Sequence, residues 1–269
     1  NDMSFQSGWG IALWRSSRND ISNNRIDWCI RGFSHKVYHR GQDSAAILVF
    51  EQCSQNVFAY NSATHSGDGF FLYAGHESLE RTGEGGSNGN IVYRNDFSHA
   101  AANGIESTFS EGNQFIENIV EECENGIWAG YSSKTLILGN TIARNACGIA
   151  IEHGRDNTID GNTFRENGTA IRLWWNPNDA FSKTPWGKKH DTKSAGWTVT
   201  RNHFGQDRCA FDLKDTTGIS IFENAIEKVA TGLKTTGECS GRFERNRVDA
   251  QVMAASTPQF IIGENSWRG

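Results

Sequence analysis

The stretch NTIARNACGIAIEHGRDNTIDGNTF, residues 140–164, holds the pattern that decides the fold. An Asn stands two places before an apolar residue in Asn140-Thr-Ile142, and the same unit returns 22 residues later as Asn162-Thr-Phe164. Between them, Gly148-Ile149 places a small residue before an apolar one. The unit repeats outward in both directions: Asn24-Arg-Ile26, Asn95-Asp-Phe97, Asn202-His-Phe204, Asn224-Ala-Ile226 and Asn246-Arg-Val248, with Asn61 and Asn118 in the same column. The small-plus-apolar pairs recur as Gly104-Ile105, Gly126-Ile127, Ala170-Ile171, Ala210-Phe211 and Gly232-Leu233. From Asn24 onward the Asn-to-Asn spacings are 37, 34, 23, 22, 22, 40, 22 and 22.

A period near 22 is too short for tetratricopeptide, ankyrin or WD40 units, and the Leu-rich consensus of leucine-rich repeats is missing. It suits a coil of short strands and turns, stacked on the next coil at roughly 4.8 Å so that strand N–H and C=O groups pair between coils. The predicted fold is therefore all-β: a right-handed parallel β-helix of about eleven coils. The Asn column is then a ladder of side-chain amides that builds the fold and catalyses nothing. The NxI/F and GI motifs resemble the parallel β-helix repeats of the NosD-like and pectate-lyase-like carbohydrate-associated superfamily. The resemblance covers essentially the whole chain. It implies a secreted or periplasmic setting and, often, polysaccharide chemistry. It carries over no catalytic residue.

Composition narrows the partners. There are 26 Lys and Arg against 31 Asp and Glu, a net charge of −5, which argues against nucleic acid or an anionic membrane surface. No apolar run approaches the roughly 18 residues of a membrane span. No signal-peptide pattern stands at Asn1, so one is either absent or removed. None of the six Cys forms a CxxC pair, so most are read as reduced residues packed in or near the core. No metal or other cofactor is expected, and no dense Asp cluster for calcium is present.

Asn1 precedes Gly10 by nine residues, as Asn95 precedes Gly104, and Asn265 continues the column after Asn246. Neither end shows an amphipathic capping helix of the kind solenoids use. The expectation is one β-helix domain over residues 1–269, part of a longer β-helix or covered at its open end by a partner. Three long spacings mark insertions: Asp27–Ser44 with His35, His39, Arg40 and Asp43; Gly75–Asn90 with His76, Glu77 and Glu80; and Asn176–Gly196 with Trp186, Lys188, Lys189, His190 and Asp191. The last two follow directly on the Gly-Ile strand and should rise at one edge of one face.

Alternation along that strand points the second and fourth residues after each Gly or Ala outward. One outward column reads Phe71, Glu106, Trp128, Ala150, Arg172, Asp212; the other reads Tyr73, Thr108, Gly130, Glu152, Trp174, Lys214. Tyr131, His153 and Trp175 lie just beyond. The expected ligand is a polysaccharide or oligosaccharide, with Trp128, Tyr131, Trp174, Trp175, Tyr73, Asp212, Lys214 and His76 contacting it. Phe50 and Phe71 are read as covered by the insertions. Glu106 and Glu152 are the candidate acid and base of a glycoside hydrolase, assisted by His153 and Arg172. Their Cβ atoms should lie roughly 11–12 Å apart, which suits an inverting rather than a retaining enzyme. Arg172 and Asp212 read as a cross-strand ion pair, or Arg172 as a clamp on a substrate carboxylate. That second version belongs to a polysaccharide lyase or epimerase acting on uronates, with His153, Tyr131 or Lys214 as base. A non-catalytic carbohydrate-binding or scaffold module is the third reading. Asp68, in HSGDG, falls where Asn103 and Asn125 fall in later coils and reads as a turn residue near the face.

Overall fold

The computed structural model describes residues 1–32, 43–254 and 259–267. His35, His39 and Arg40 of the first insertion lie outside the described residues. The chain winds as a parallel β-helix in which every strand pairing is parallel. A representative coil runs through Thr141–Ala143, Cys147–Glu152 and Thr158–Asp160. These three strands lie on what we call the ladder, front and back faces. The back face is one sheet of ten strands. The front and ladder faces join into a second sheet through the long strand Ala225–Thr236, which pairs with strands of both.

The front register aligns the residue after each Gly or Ala. Ile47, Phe70, Ile105, Ile127, Ile149, Ile171, Phe211 and Leu233 stack one per coil, each fully buried. The small residue before them is demanded by the corner. A Cβ on Gly126 would come within 2.5 Å of the Gly148 carbonyl oxygen in the next coil.

The predicted Asn column is a continuous chain of amides from Asn1 to Asn265. Asn140 shows how one rung is satisfied. Its Oδ1 accepts from both the backbone N–H and the Nδ2 of Asn118, and its Nδ2 donates to Asn162 Oδ1 and to the Phe115 carbonyl. Two further ladders, not anticipated from the sequence, line other corners: Asn19–Asn56–Asn90–Asn113 and Asn145–Asn167–Asp207. All six cysteines are free, four of them buried.

The second and third insertions meet over the front face. The second forms a short helix, Glu77–Thr82; the third forms a 3-10 turn, Phe181–Lys183, and a helix, Pro185–Lys189. Lys189 Nζ reaches across to Glu84 Oε1 and to the Thr82 carbonyl, both at 2.7 Å. Beneath them Ala74, Leu79, Phe109, Tyr131 and Trp186 form a satellite core separate from the solenoid interior.

Candidate functional site

A cleft of about 300 Å³ opens on the front face where the insertions meet the coils. Its floor comes from successive coils: Phe71 and Tyr73, then Glu106, Thr108 and Phe109, then Trp128, Gly130 and Tyr131, then Glu152. Asp179 and Phe181 of the third insertion form its roof. Strand alternation supplies Phe71, Glu106 and Trp128 as cross-strand neighbours in one outward column. Glu152 stands two coils beyond Glu106 and two residues further along its strand.

The corner after each front strand adds a second row. Phe109, Tyr131 and His153 all adopt positive φ, at 51°, 58° and 59°. This left-handed conformation turns their side chains out of the strand alternation and stacks them. Phe109 and Tyr131 rings lie 4.5 Å apart and Tyr131 and His153 4.3 Å apart, both nearly parallel. Phe181 packs edge-on against Phe109 and Tyr131.

Glu106 is the perturbed carboxyl of the cleft. Its Oε2 accepts from Asn103 Nδ2 at 2.7 Å, and the backbone N–H of the same Asn103 donates to Asp68 Oδ1 at 2.8 Å. One asparagine thus bridges two carboxyl groups. Burial, first, and then the charge of Asp68 push Glu106 up to about 8; the Asn103 bond opposes this and Asp43 adds to it. Burial also pushes Asp68 up to about 7, against the two bonds from Asn103. Glu106 therefore holds its proton at neutral pH. Tyr131 is 6% exposed, and its Oη faces the Asp179 carboxylate without a hydrogen bond of good geometry. Burial, then the neighbouring Asp179, raise the Tyr131 hydroxyl well above its ordinary value.

The structure gathers Glu106, Glu152, Trp128, Tyr131 and Tyr73 into this cleft. The other predicted residues lie elsewhere. His153 is not open to solvent; its side chain is fully buried behind Glu152, stacked on Tyr131 and covered by the third insertion. Its Nδ1 donates to the Thr192 carbonyl at 2.8 Å, and its Nε2 lies 3.6 Å from Glu152 Oε1. Tyr131 likewise is a satellite-core residue that lines the cleft rather than an open platform. Arg172 lies 3.8 Å from Asp212 and over the ring of Trp174. Asp212 is shared with Lys234 at 3.4 Å, and Lys214 is exposed. Trp174 packs 5.6 Å from Trp128 between ring centroids, and Trp175 lies under Lys193. His76 is exposed and paired with Glu80 at 3.0 Å. Phe71, expected to be covered, instead lines the cleft, whereas Phe50 packs against Tyr73. Asp179 and Phe181 were missed because an insertion carries no repeat phase from which to place a side chain.

Among solved structures, the periplasmic alginate epimerase AlgG superposes with a TM-score of 0.64 at 12% identity, covering 99% of this chain and 74% of its own. The Agl-KA catalytic domain gives 0.56 at 11% identity, covering 93% of this chain and 52% of its own. The N-terminal fragment of bacteriophage Phi29 gene product 12 gives 0.54 at 9%, covering 98% and 55%. At such identities the likeness establishes the fold, not the activity. No curated protein matches the chain. The family model described as periplasmic copper-binding protein (NosD) matches residues 1–180, from the first ladder Asn to the third insertion, and the chain belongs to that family.

Proposed function

We propose that the chain is an extracytoplasmic carbohydrate-active protein whose front-face cleft hydrolyses a glycosidic bond. The observation that carries this reading is Glu106, buried beside Asp68 and bonded by Asn103, in an aromatic-walled cleft that also presents Glu152. Two carboxyl groups in unlike environments can divide acid and base roles. Glu106 donates its proton to the departing sugar oxygen, and Glu152 draws a proton from the attacking water. Trp128, between them along the stack, offers its ring to the apolar face of a sugar. His153, fixed by Thr192, stands behind Glu152 and positions it. The β-helix neighbours include a periplasmic alginate epimerase, which fits carbohydrate chemistry outside the cytoplasm.

The family description names copper, and the residues present do not fit a copper site. Among the described residues no three His, Cys, Asp or Glu side chains converge on one point. The cysteines are spread through the stack, and Cys29, Cys123 and Cys239 have their Sγ atoms near backbone carbonyls. His65 and His99 stack with their planes 25° apart, so their in-plane lone pairs run side by side rather than toward one ion. No step of this reading passes through copper.

The test is Glu106→Gln and Glu152→Gln assayed for reducing-end release on a panel of neutral, amino and uronate oligosaccharides. Each variant should lose about 100-fold or more in turnover with binding largely kept. Full activity in both variants overturns the acid–base assignment. Binding without hydrolysis by the unsubstituted protein would instead make the cleft a recognition module.

A further inference from the structure

We propose that the cleft selects sugars carrying a protonated amine over sugars carrying a carboxylate, with Asp179 and the Tyr131 hydroxyl as the ammonium subsite. This rests on the carbohydrate reading above and names its ligand class. The lining carries three acids, Glu106, Glu152 and Asp179, and among the described residues it carries no Lys, Arg or His. Three cations of the surrounding coils and insertions are engaged elsewhere: Arg172 with Asp212, Arg155 with Asp191 at 2.8 Å, and Lys189 with Glu84. A uronate entering the cleft would bring its carboxylate beside the Glu152 and Asp179 carboxylates without a counter-charge in the lining, which is a built-in penalty against that class.

The walls favour the opposite charge. Aromatic faces are electron-rich and attract an ammonium group, more strongly as the site loses water. Asp179 has one oxygen, Oδ2, accepting from the Ser182 backbone N–H at 2.9 Å, which fixes its carboxylate in the roof. Tyr131 Oη is buried in the cleft lining and faces Asp179, without a hydrogen bond of good geometry to any described residue. A buried hydroxyl without a partner is costly to leave unmatched. An ammonium that donates to Tyr131 Oη while facing Asp179 satisfies both groups at once. An N-acetyl group supplies no such charge.

The experiment titrates the intact protein at pH 6 with the methyl glycosides of glucosamine, N-acetylglucosamine, glucose and glucuronic acid, so that no glycosidic linkage has to be guessed. The glucosamine derivative should bind about 10-fold or more tighter than the N-acetylated one, weaken as salt is added, and resist competition by the glucuronide. Asp179→Asn, which keeps an oxygen for Ser182, should bring the amine-to-acetyl ratio close to one. Tyr131→Phe should lower that ratio while keeping the fold, because the deleted hydroxyl makes no hydrogen bond of good geometry within the protein. Equal binding of the amine and its acetylated form overturns the inference and leaves the carbohydrate reading standing. Tightest binding of the glucuronide overturns it and turns the site toward uronate chemistry. Binding of tetramethylammonium with none of the four sugars overturns both this inference and the carbohydrate reading beneath it.

Discussion

Glu106 and Asp68 tie local burial to a measurable property of the whole protein. In an unfolded chain a glutamate titrates near 4.3, whereas the folded Glu106 is pushed up to about 8. Between those values the unfolded chain has released a proton that the folded chain keeps. Stability contributed by the neutral carboxyl is thus complete below about pH 4 and is lost as pH rises toward 8. Glu106→Gln keeps the shape and removes the titration. Its melting temperature should match the parent near pH 4 and exceed it at pH 8. Partial solvent access tempers the full shift, leaving a gain on the order of 2 kcal/mol, or roughly 4–8 °C. Asp68→Asn should give a smaller gain of the same sign and preserve the bond from Asn103. The double variant should fall short of the sum because the two carboxyls titrate as a pair. A melting difference that does not change with pH would show that Glu106 ionises as an ordinary surface acid.

At the scale of elements, what was legible in the sequence follows from what repeats. The Asn24-to-Asn246 column and the Gly-Ile strands were readable because each coil imposes the same contact on the same position. The outward columns were readable as far as strand alternation holds, and Glu106, Trp128 and Glu152 of those columns line the cleft. Alternation ends at the left-handed corners, so His153, read as outward and open, is buried against Tyr131, and Tyr131 reaches the cleft from the satellite core. The second and third ladders were overlooked because they are short, and the third also changes residue type, with Asp207 following Asn145 and Asn167. The insertions have no repeat phase, and their meeting depends on one tight approach. Gly83 sits at φ 68°, and a Cβ there would lie 2.4 Å from the Pro185 carbonyl oxygen. Gly83→Ala combines that clash with a left-handed backbone cost of about 1–2 kcal/mol. The strain is relieved by parting the insertions rather than the coils. Trp186, 6% exposed in the satellite core, should then show red-shifted fluorescence, and ligand binding should weaken by about 10-fold or more. The main unfolding transition should shift little. Unchanged Trp186 emission together with unchanged binding would show that the insertions do not depend on this contact.

The whole molecule is a stack in which each coil's strands pair with those of the coils before and after it, as the register from Ile47 through Leu233 shows. Stability in such a solenoid is close to a sum of coil and interface contributions, so damage should stay near its source. Phe204 provides the test. It is fully buried, stacks on Phe164 at 4.7 Å and meets Phe211 at 4.9 Å. Phe204→Ala should cost about 3–5 kcal/mol through lost burial and a residual cavity. Hydrogen exchange should then speed up in the strands Thr163–Arg165, His203–Gly205 and Ala225–Thr236, which flank the cavity. Amides of Ala45–Phe50 and Val57–Ala59, several coils away, should keep their protection. Their pairing partners are untouched, and local opening needs only the energy of the coils that open. If protection instead falls equally along the chain, the continuous Asn ladder and core bind the coils into a single cooperative unit. The cleft at Glu106 would then respond to core damage as distant as Phe204.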